Sequence, residues 1–226
     1  STSFIGMKNQ QLNTLKTLIK IAEKPIGPKP GFEITDVIKL FFLLGESSPK
    51  GRKILSKELQ LGEGSVRTLL SRLQESGFVK MERGGCRLTD SGLFIYRELA
   101  KIITQPKPID AGPLSQGAWN YVILIRESAA KIRSGLEQRD AAVRAGANGA
   151  TTLLYLAGRF SLPGVDVDVE KAYPSSFWKT VRDLLNPKDG DSIIIVGASS
   201  AKAAERGALT AALQTLLADM PLTQKT

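Results

Sequence analysis

The side chains best suited to chemistry lie between residues 50 and 87. Lys50, Arg52, Lys53, Arg67, Arg72, Lys80, Arg83 and Arg87 supply cations there, and Ser65, Thr68 and Ser71 supply hydroxyls. Nine basic and four acidic groups fall in the stretch, so its charge is unbalanced. A guanidinium presents a planar fork of donors that fits a phosphate or the edge of a guanine. An ammonium is a compact charge for phosphate, and hydroxyls do either job more weakly. This is the chemistry of recognition, aimed at a polyanion. Bond-making chemistry is poorly served. No histidine occurs, which removes the commonest general base, the Ser–His and Cys–His nucleophile pairs and most zinc sites. We therefore expect a binding protein, with no catalytic residues, metal or cofactor.

A second set, Gly197, Ser199, Ser200 and Lys202, follows an apolar run at 192–196. A buried strand handing over to a helix start would leave free N–H groups and a helix dipole favouring an anion, so this set is a candidate for an anionic effector. A serine-capped strand–helix turn accounts for the same residues. The glycines fit neither phosphate-loop nor dinucleotide spacing. Asp166, Asp168 and Glu170 alternate along a polar segment and read as a solvated edge rather than a metal site.

The elements that must position the cationic stretch are legible in the periodicity. Val37, Ile38, Phe41 and Leu44 predict a helix over 35–44, and Ile54, Leu55 and Leu59 a second over 52–60. A turn at 61–64 leads to a third helix, 65–76, whose Val66, Leu69, Leu70 and Leu73 recur at i, i+3, i+4, i+7. That stripe sends Ser65, Thr68, Ser71 and Arg72 outward, with Arg67 on the flank and Glu75 near the end. Gly77 stops the helix in a position that tolerates the left-handed backbone. Residues 78–82 alternate as a strand, Gly84-Gly85 make a hairpin turn, and 86–88 return. Thr89 or Asp90 then caps a helix carrying Leu93, Phe94, Tyr96 and Leu99. Ahead of all this, Leu12, Leu15, Ile19 and Ala22 predict a helix over 9–22, ended by three prolines between 25 and 30. Helix, turn, helix and hairpin make a winged helix-turn-helix, in which the helix after the turn is offered to the major groove of DNA and the wing to the backbone or minor groove.

Beyond residue 105 the rhythm changes. Apolar runs at 121–125, 150–156 and 192–196 read as strands, with a short return near 159–162. Helices are expected over 134–145, around Phe177, Trp178, Val181 and Leu185, and over 200–217. The succession β-α-β-β-α-β-α points to a sheet covered by helices, of ferredoxin-like layout.

Three motifs carry a resemblance: Gly45-Glu46-Ser47-Ser48-Pro49-Lys50-Gly51-Arg52-Lys53, the run from Leu61 to Leu70, and Arg83-Gly84-Gly85-Cys86-Arg87-Leu88-Thr89. They are similar to those of archaeal winged-helix proteins with a DUF4443-type C-terminal domain, and the opening half also resembles the DNA-binding part of CggR-type regulators. The resemblance implies an archaeal transcriptional regulator.

Composition sets bounds consistent with this. The 226 residues carry a net charge of +9. Residues 1–104 hold 17 basic and 10 acidic groups, a net of +7, against 14 and 12 in the rest, a net of +2. No apolar run approaches the roughly 18 residues of a membrane span, and residues 1–6 lack the layout of a secretory signal. The single cysteine, Cys86, forbids an intrachain disulfide and suits a reducing, cytoplasmic setting.

The expected fold is α+β. A helical, proline-rich lead-in (1–31) precedes a winged helix-turn-helix (32–104), a linker (105–117) and an α/β domain (118–226). The expected partners are double-stranded DNA, a small-molecule or anionic effector and a second copy in a homodimer, with no membrane. Two alternatives stand beside this: an enzyme with its chemistry in the C-terminal domain, and a winged helix used for protein assembly.

Overall fold

The computed structural model describes residues 9–23 and 31–218. They form two compact units, the described residues up to Lys101 and those from Ile102 onward. The prolines at 25, 28 and 30 and the residues before Asn9 lie outside the described part.

The first unit runs α1 (Asn9–Ala22), α2 (Ile34–Glu46), α3 (Arg52–Leu59), α4 (Glu63–Glu75), β1 (Val79–Glu82), β2 (Gly85–Leu88) and α5 (Asp90–Ala100). Local chemistry marks its ends. Asp36 turns back to accept from the Glu33 backbone N–H at 2.8 Å, opening α2. After α4, Gly77 takes φ +79°, and Phe78 N–H reaches the Leu73 carbonyl at 2.9 Å, closing the helix with the expected glycine. Thr89 caps α5, its hydroxyl accepting from Gly92 N–H at 3.2 Å.

The core of this unit gathers Val37, Ile38 and Phe41 of α2, Leu55 and Leu59 of α3, and Val66, Leu69 and Leu73 of α4, all almost fully buried. Two expectations shift. The helix α1 buries Thr14, Leu15, Leu18 and Ile21, rotated from the predicted stripe through Leu12 and Ile19. Ile54 and Phe94 remain about half exposed. The hairpin turns over Arg83-Gly84, since Glu82 pairs with Gly85, which already belongs to the return strand.

The second unit contains β3 (Lys107–Pro108), β4 (Trp119–Ile125), α6 (Leu136–Arg144), β5 (Gly149–Leu156), β6 (Arg159–Ser161), α7 (Val169–Ala172), α8 (Phe177–Leu185), β7 (Asp191–Ala198) and α9 (Ala201–Leu217). Its sheet is antiparallel throughout, in the order β3-β4-β7-β5-β6. Because β4 and β5 are both antiparallel to the β7 between them, β4-α6-β5 is a split β-α-β unit of the kind found in ferredoxin-like folds. The expected succession of strands and helices is present, with β7 at the centre of the sheet between β4 and β5.

Every residue of β7 is buried, as a strand covered on both faces requires. On one face Val122, Leu124, Leu153, Ile193 and Ile195 pack with Phe160, Phe177, Trp178, Val181 and Leu185. On the other lie α6 and α9. Gly207 of α9 sits so close to Val196 that a β-carbon there would collide with it. The two tryptophans of the chain differ in setting: Trp178 is buried, whereas Trp119, at the start of β4, is 49% exposed.

The expected linker at 105–117 is a correction. Arg126 N–H bonds Ile102 O, Thr104 N–H bonds Leu124 O, and Lys107 and Pro108 pair with Val122 and Tyr121. The segment therefore belongs to the second unit: Lys107–Pro108 is the edge strand of its sheet and Gly112–Leu114 a short 3-10 helix. Pro108 is tolerated because an edge strand needs donors on one side only, and Pro113 stands in the first turn of the 3-10 helix, where no donor is needed.

Candidate nucleic-acid interface

The face of α4 opposite its leucines is a second stripe with the same spacing. Gly64, Arg67, Thr68 and Ser71 stand at i, i+3, i+4, i+7, and all four are exposed. The Thr68 hydroxyl donates to Gly64 O at 3.1 Å, leaving its lone pairs directed outward. Helix α3 brings Arg52 and Lys53, and the hairpin brings Lys80 and Arg83, all exposed. Among the described residues these four and Arg67 have no ion-pair partner.

Four predicted contacts are engaged or packed within their own chain. Arg72 is held within its own unit: one Nη donates to Ile21 O at 2.9 Å and Glu23 O at 3.2 Å. Its guanidinium lies 5.0 Å from the centre of the Phe32 ring. It closes the C-terminal end of α1, where unsatisfied carbonyls and the helix dipole attract a cation. Ser65 is half-buried against Gly31, where a β-carbon would strike its hydroxyl. Lys50 pairs with Glu58 at 3.1 Å, its side chain only 15% exposed. Arg87 pairs with Glu82 at 2.6 Å, so its charge is balanced beside the wing tip.

Lys50 serves the wing through its backbone instead. Its N–H and carbonyl exchange hydrogen bonds with Cys86 at 3.0 and 2.8 Å, adding a one-residue third strand to the hairpin. The approach is so close that a β-carbon at Gly85 (φ +133°) would overlap the Lys50 carbonyl. Cys86 lies beneath, fully buried, and burial pushes its thiol up to about 11. Burial and then the Glu46 carboxylate raise the Tyr96 phenol above its ordinary value.

Three glycines on this side are bare. A β-carbon at Gly51, Gly62 or Gly64 would meet nothing within 4 Å. Gly51 and Gly62, the N-caps of α3 and α4, have φ of −73° and −61°, values open to any residue. Neither a turn nor internal packing requires glycine at these places. Gly64 escaped the sequence reading, although it stands three residues before Arg67 on the same face. The Arg72 clamp had no local signal, because its partners are 49 and 51 residues away.

The second predicted site is filled by its own chain. Gly197 is buried, and a β-carbon there would strike the Gln116 backbone and Asn120 Oδ1. The Ser200 hydroxyl accepts from Ala203 N–H at 3.2 Å and so caps α9. Ser199 is exposed, and Lys202 is half-buried within an interaction of its own. The serine-capped turn accounts for the set, and no open anion cradle is formed by these four. Asp168 caps α7, accepting from Lys171 N–H at 3.2 Å, while Glu170 forms a bidentate pair with Arg182. Among the described residues no group of three or more metal-ligating side chains is gathered.

With this geometry in view, comparison with known proteins gives a consistent outline. Residues 116–216 match the model of a domain of unknown function, DUF4443. Residues 33–93 match that of a PH0730-like N-terminal domain. The match to DUF4443 thus falls within the second unit. A similar solved structure is the hypothetical protein PH0730 from Pyrococcus horikoshii OT3, 28% identical, with a TM-score of 0.68 over 86% of this chain and 97% of that one. No curated protein matches the chain. The N-terminal match spans α2 to the start of α5, the elements that display the exposed stripe and the wing. The DUF4443 match spans β4 to α9, and leaves the edge strand β3 outside. No helix among the described residues is long and apolar enough to cross a membrane.

Proposed function

We propose that the first unit binds duplex DNA, with α4 in the major groove and the β1–β2 wing on the flanking backbone, and that the chain is a transcriptional regulator. One observation carries the reading. The helix after the turn buries one stripe and presents another of glycine, arginine, threonine and serine, flanked by cations that form no ion pair among the described residues. Gly51 and Gly62 suit their N-cap positions in any case, but a surface merely kept soluble has no need of a bare glycine within α4 beside five cations that are unpaired among the described residues.

The roles divide by chemistry. Arg52, Lys53, Lys80 and Arg83 suit phosphates, which fix register and supply most of the affinity. The α4 stripe suits base edges. In this reading the protein works as a homodimer, which presents two copies of α4 to half-sites about one helical turn apart. The DUF4443 domain holds the two copies together or senses a small effector in the reducing cytoplasm.

Salt tests the proposal. Mixed-sequence duplex should bind with an affinity that falls linearly on a log–log plot as salt rises. If the four phosphate-facing cations of a protomer, Arg52, Lys53, Lys80 and Arg83, neutralise phosphates, their contribution to the slope approaches about −3.6. Fluorescence anisotropy of a labelled duplex between about 50 and 200 mM salt measures it. Failure to bind any duplex at the low end excludes the reading and favours a winged helix devoted to protein assembly.

A further inference from the structure

Resting on the duplex reading above, we infer that Arg67 is the single base-reading arginine of α4, that its target is a guanine, and that Gly64 is kept without a side chain so that the helix can seat closely enough to reach it. Two arginines occur on α4, and the structure separates them. Arg72 spends its donors on the carbonyls of Ile21 and Glu23 and lies against Phe32. It is a positioning residue, tying α4 to α1. Arg67 is exposed on the opposite stripe, with no hydrogen bond or ion pair among the described residues. It lies in the first half of Glu63–Glu75, the part of a recognition helix that enters the groove.

Guanine is the base that suits a free guanidinium, because its O6 and N7 acceptors match the two-pronged donor fork. Thr68, one residue on, offers a methyl and outward lone pairs to the neighbouring base pair. Ser71 completes the stripe one turn later.

Gly64 supplies the second observation. Within a helix, glycine is destabilising relative to alanine. Here an added β-carbon would meet nothing in the protein. No internal contact therefore favours glycine, and an approaching surface does. Gly64 stands one turn before Arg67 on the same face, so that surface is the one Arg67 must reach.

The experiment uses the full chain. Duplexes are selected from a randomised library by the wild type and by Arg67→Lys, and affinities for the selected and an unrelated duplex are measured for both and for Gly64→Ala. The wild type should fix one guanine per half-site. Arg67→Lys keeps the charge but loses the fork, so it should bind unrelated duplex as before while losing about tenfold to a hundredfold on the selected one. Gly64→Ala should melt no lower than wild type yet bind the selected duplex at least fivefold more weakly. A guanine preference that survives in Arg67→Lys overturns the assignment of Arg67, and undiminished binding by Gly64→Ala overturns the close approach. Salt-sensitive binding by the wild type with no base selected defeats this inference while the proposed function stands. An absence of duplex binding defeats both.

Discussion

Replacing Arg72 with alanine should loosen the first unit and leave the choice of DNA sequence intact. The magnitude follows from three contacts. The two hydrogen bonds to the Ile21 and Glu23 carbonyls, at 2.9 and 3.2 Å, come from a cation at the end of a helix. Water replaces part of each when the side chain goes, so each contributes about 1 kcal/mol net. The guanidinium 5.0 Å from the Phe32 ring centre adds about 0.5–1 kcal/mol. The total is about 2–3 kcal/mol. For a unit of this size that lowers the melting temperature by about 10–20 °C. Circular dichroism on the full chain gives the shift, and amide exchange along Asn9–Ala22 should quicken more than in α2 or α5. Affinity for duplex, measured well below the new melting point, should fall uniformly across sequences. A melting temperature within about 2 °C of wild type, together with a sequence-dependent loss of binding, would return Arg72 to the DNA-facing ridge and refute the clamp.

Two further outcomes follow from titratable groups. Arg182 grips Glu170 through two hydrogen bonds of 2.6 and 2.8 Å, and that bonding holds the carboxyl below its ordinary value of 4.5. The carboxylate is thus preferred in the folded state. Its stabilisation, on the order of 1 kcal/mol, is present above pH 4.5 and lost as pH falls through the lowered value. Glu170→Gln should flatten stability against pH in that acid range, as read by urea denaturation. Cys86, buried and with its thiol raised to about 11, should resist a thiol reagent at neutral pH in the folded protein and react at once in denaturant. Rapid labelling without denaturant would show that the wing opens.

The first unit was legible because its signals are local. The leucine stripe of α4, the glycine at 77 and the threonine cap at 89 each act within one or two turns, and each appears where its chemistry requires. What escaped was long-range. Nothing near residue 72 announces that the end of α1 needs a cation, and nothing near residue 50 announces that its backbone will pair with Cys86. An outward-pointing side chain was expected to be available. For Arg72 partners 49 and 51 residues away decided otherwise, Ser65 lies against Gly31, and Lys50 and Arg87 pair with Glu58 and Glu82 close by. In the second unit, the proline-rich run at 105–113 has the composition of a linker. An edge strand tolerates the same composition, and only the sheet beside it tells the two apart. The glycine–serine turn after β7 shows the opposite error, a candidate anion site at a helix start placed on residues whose neighbours, Gln116 and Asn120, already fill the space at Gly197.

The placement of the two indoles has an optical consequence. Both Trp119 and Trp178 belong to the second unit, one half in solvent and the other sealed in the core, while the cationic ridge lies on the unit that has none. Indole emission therefore reports on the second unit alone, with a half-exposed and a sealed ring as its two sources, and the unit that bears the ridge contributes no indole signal of its own.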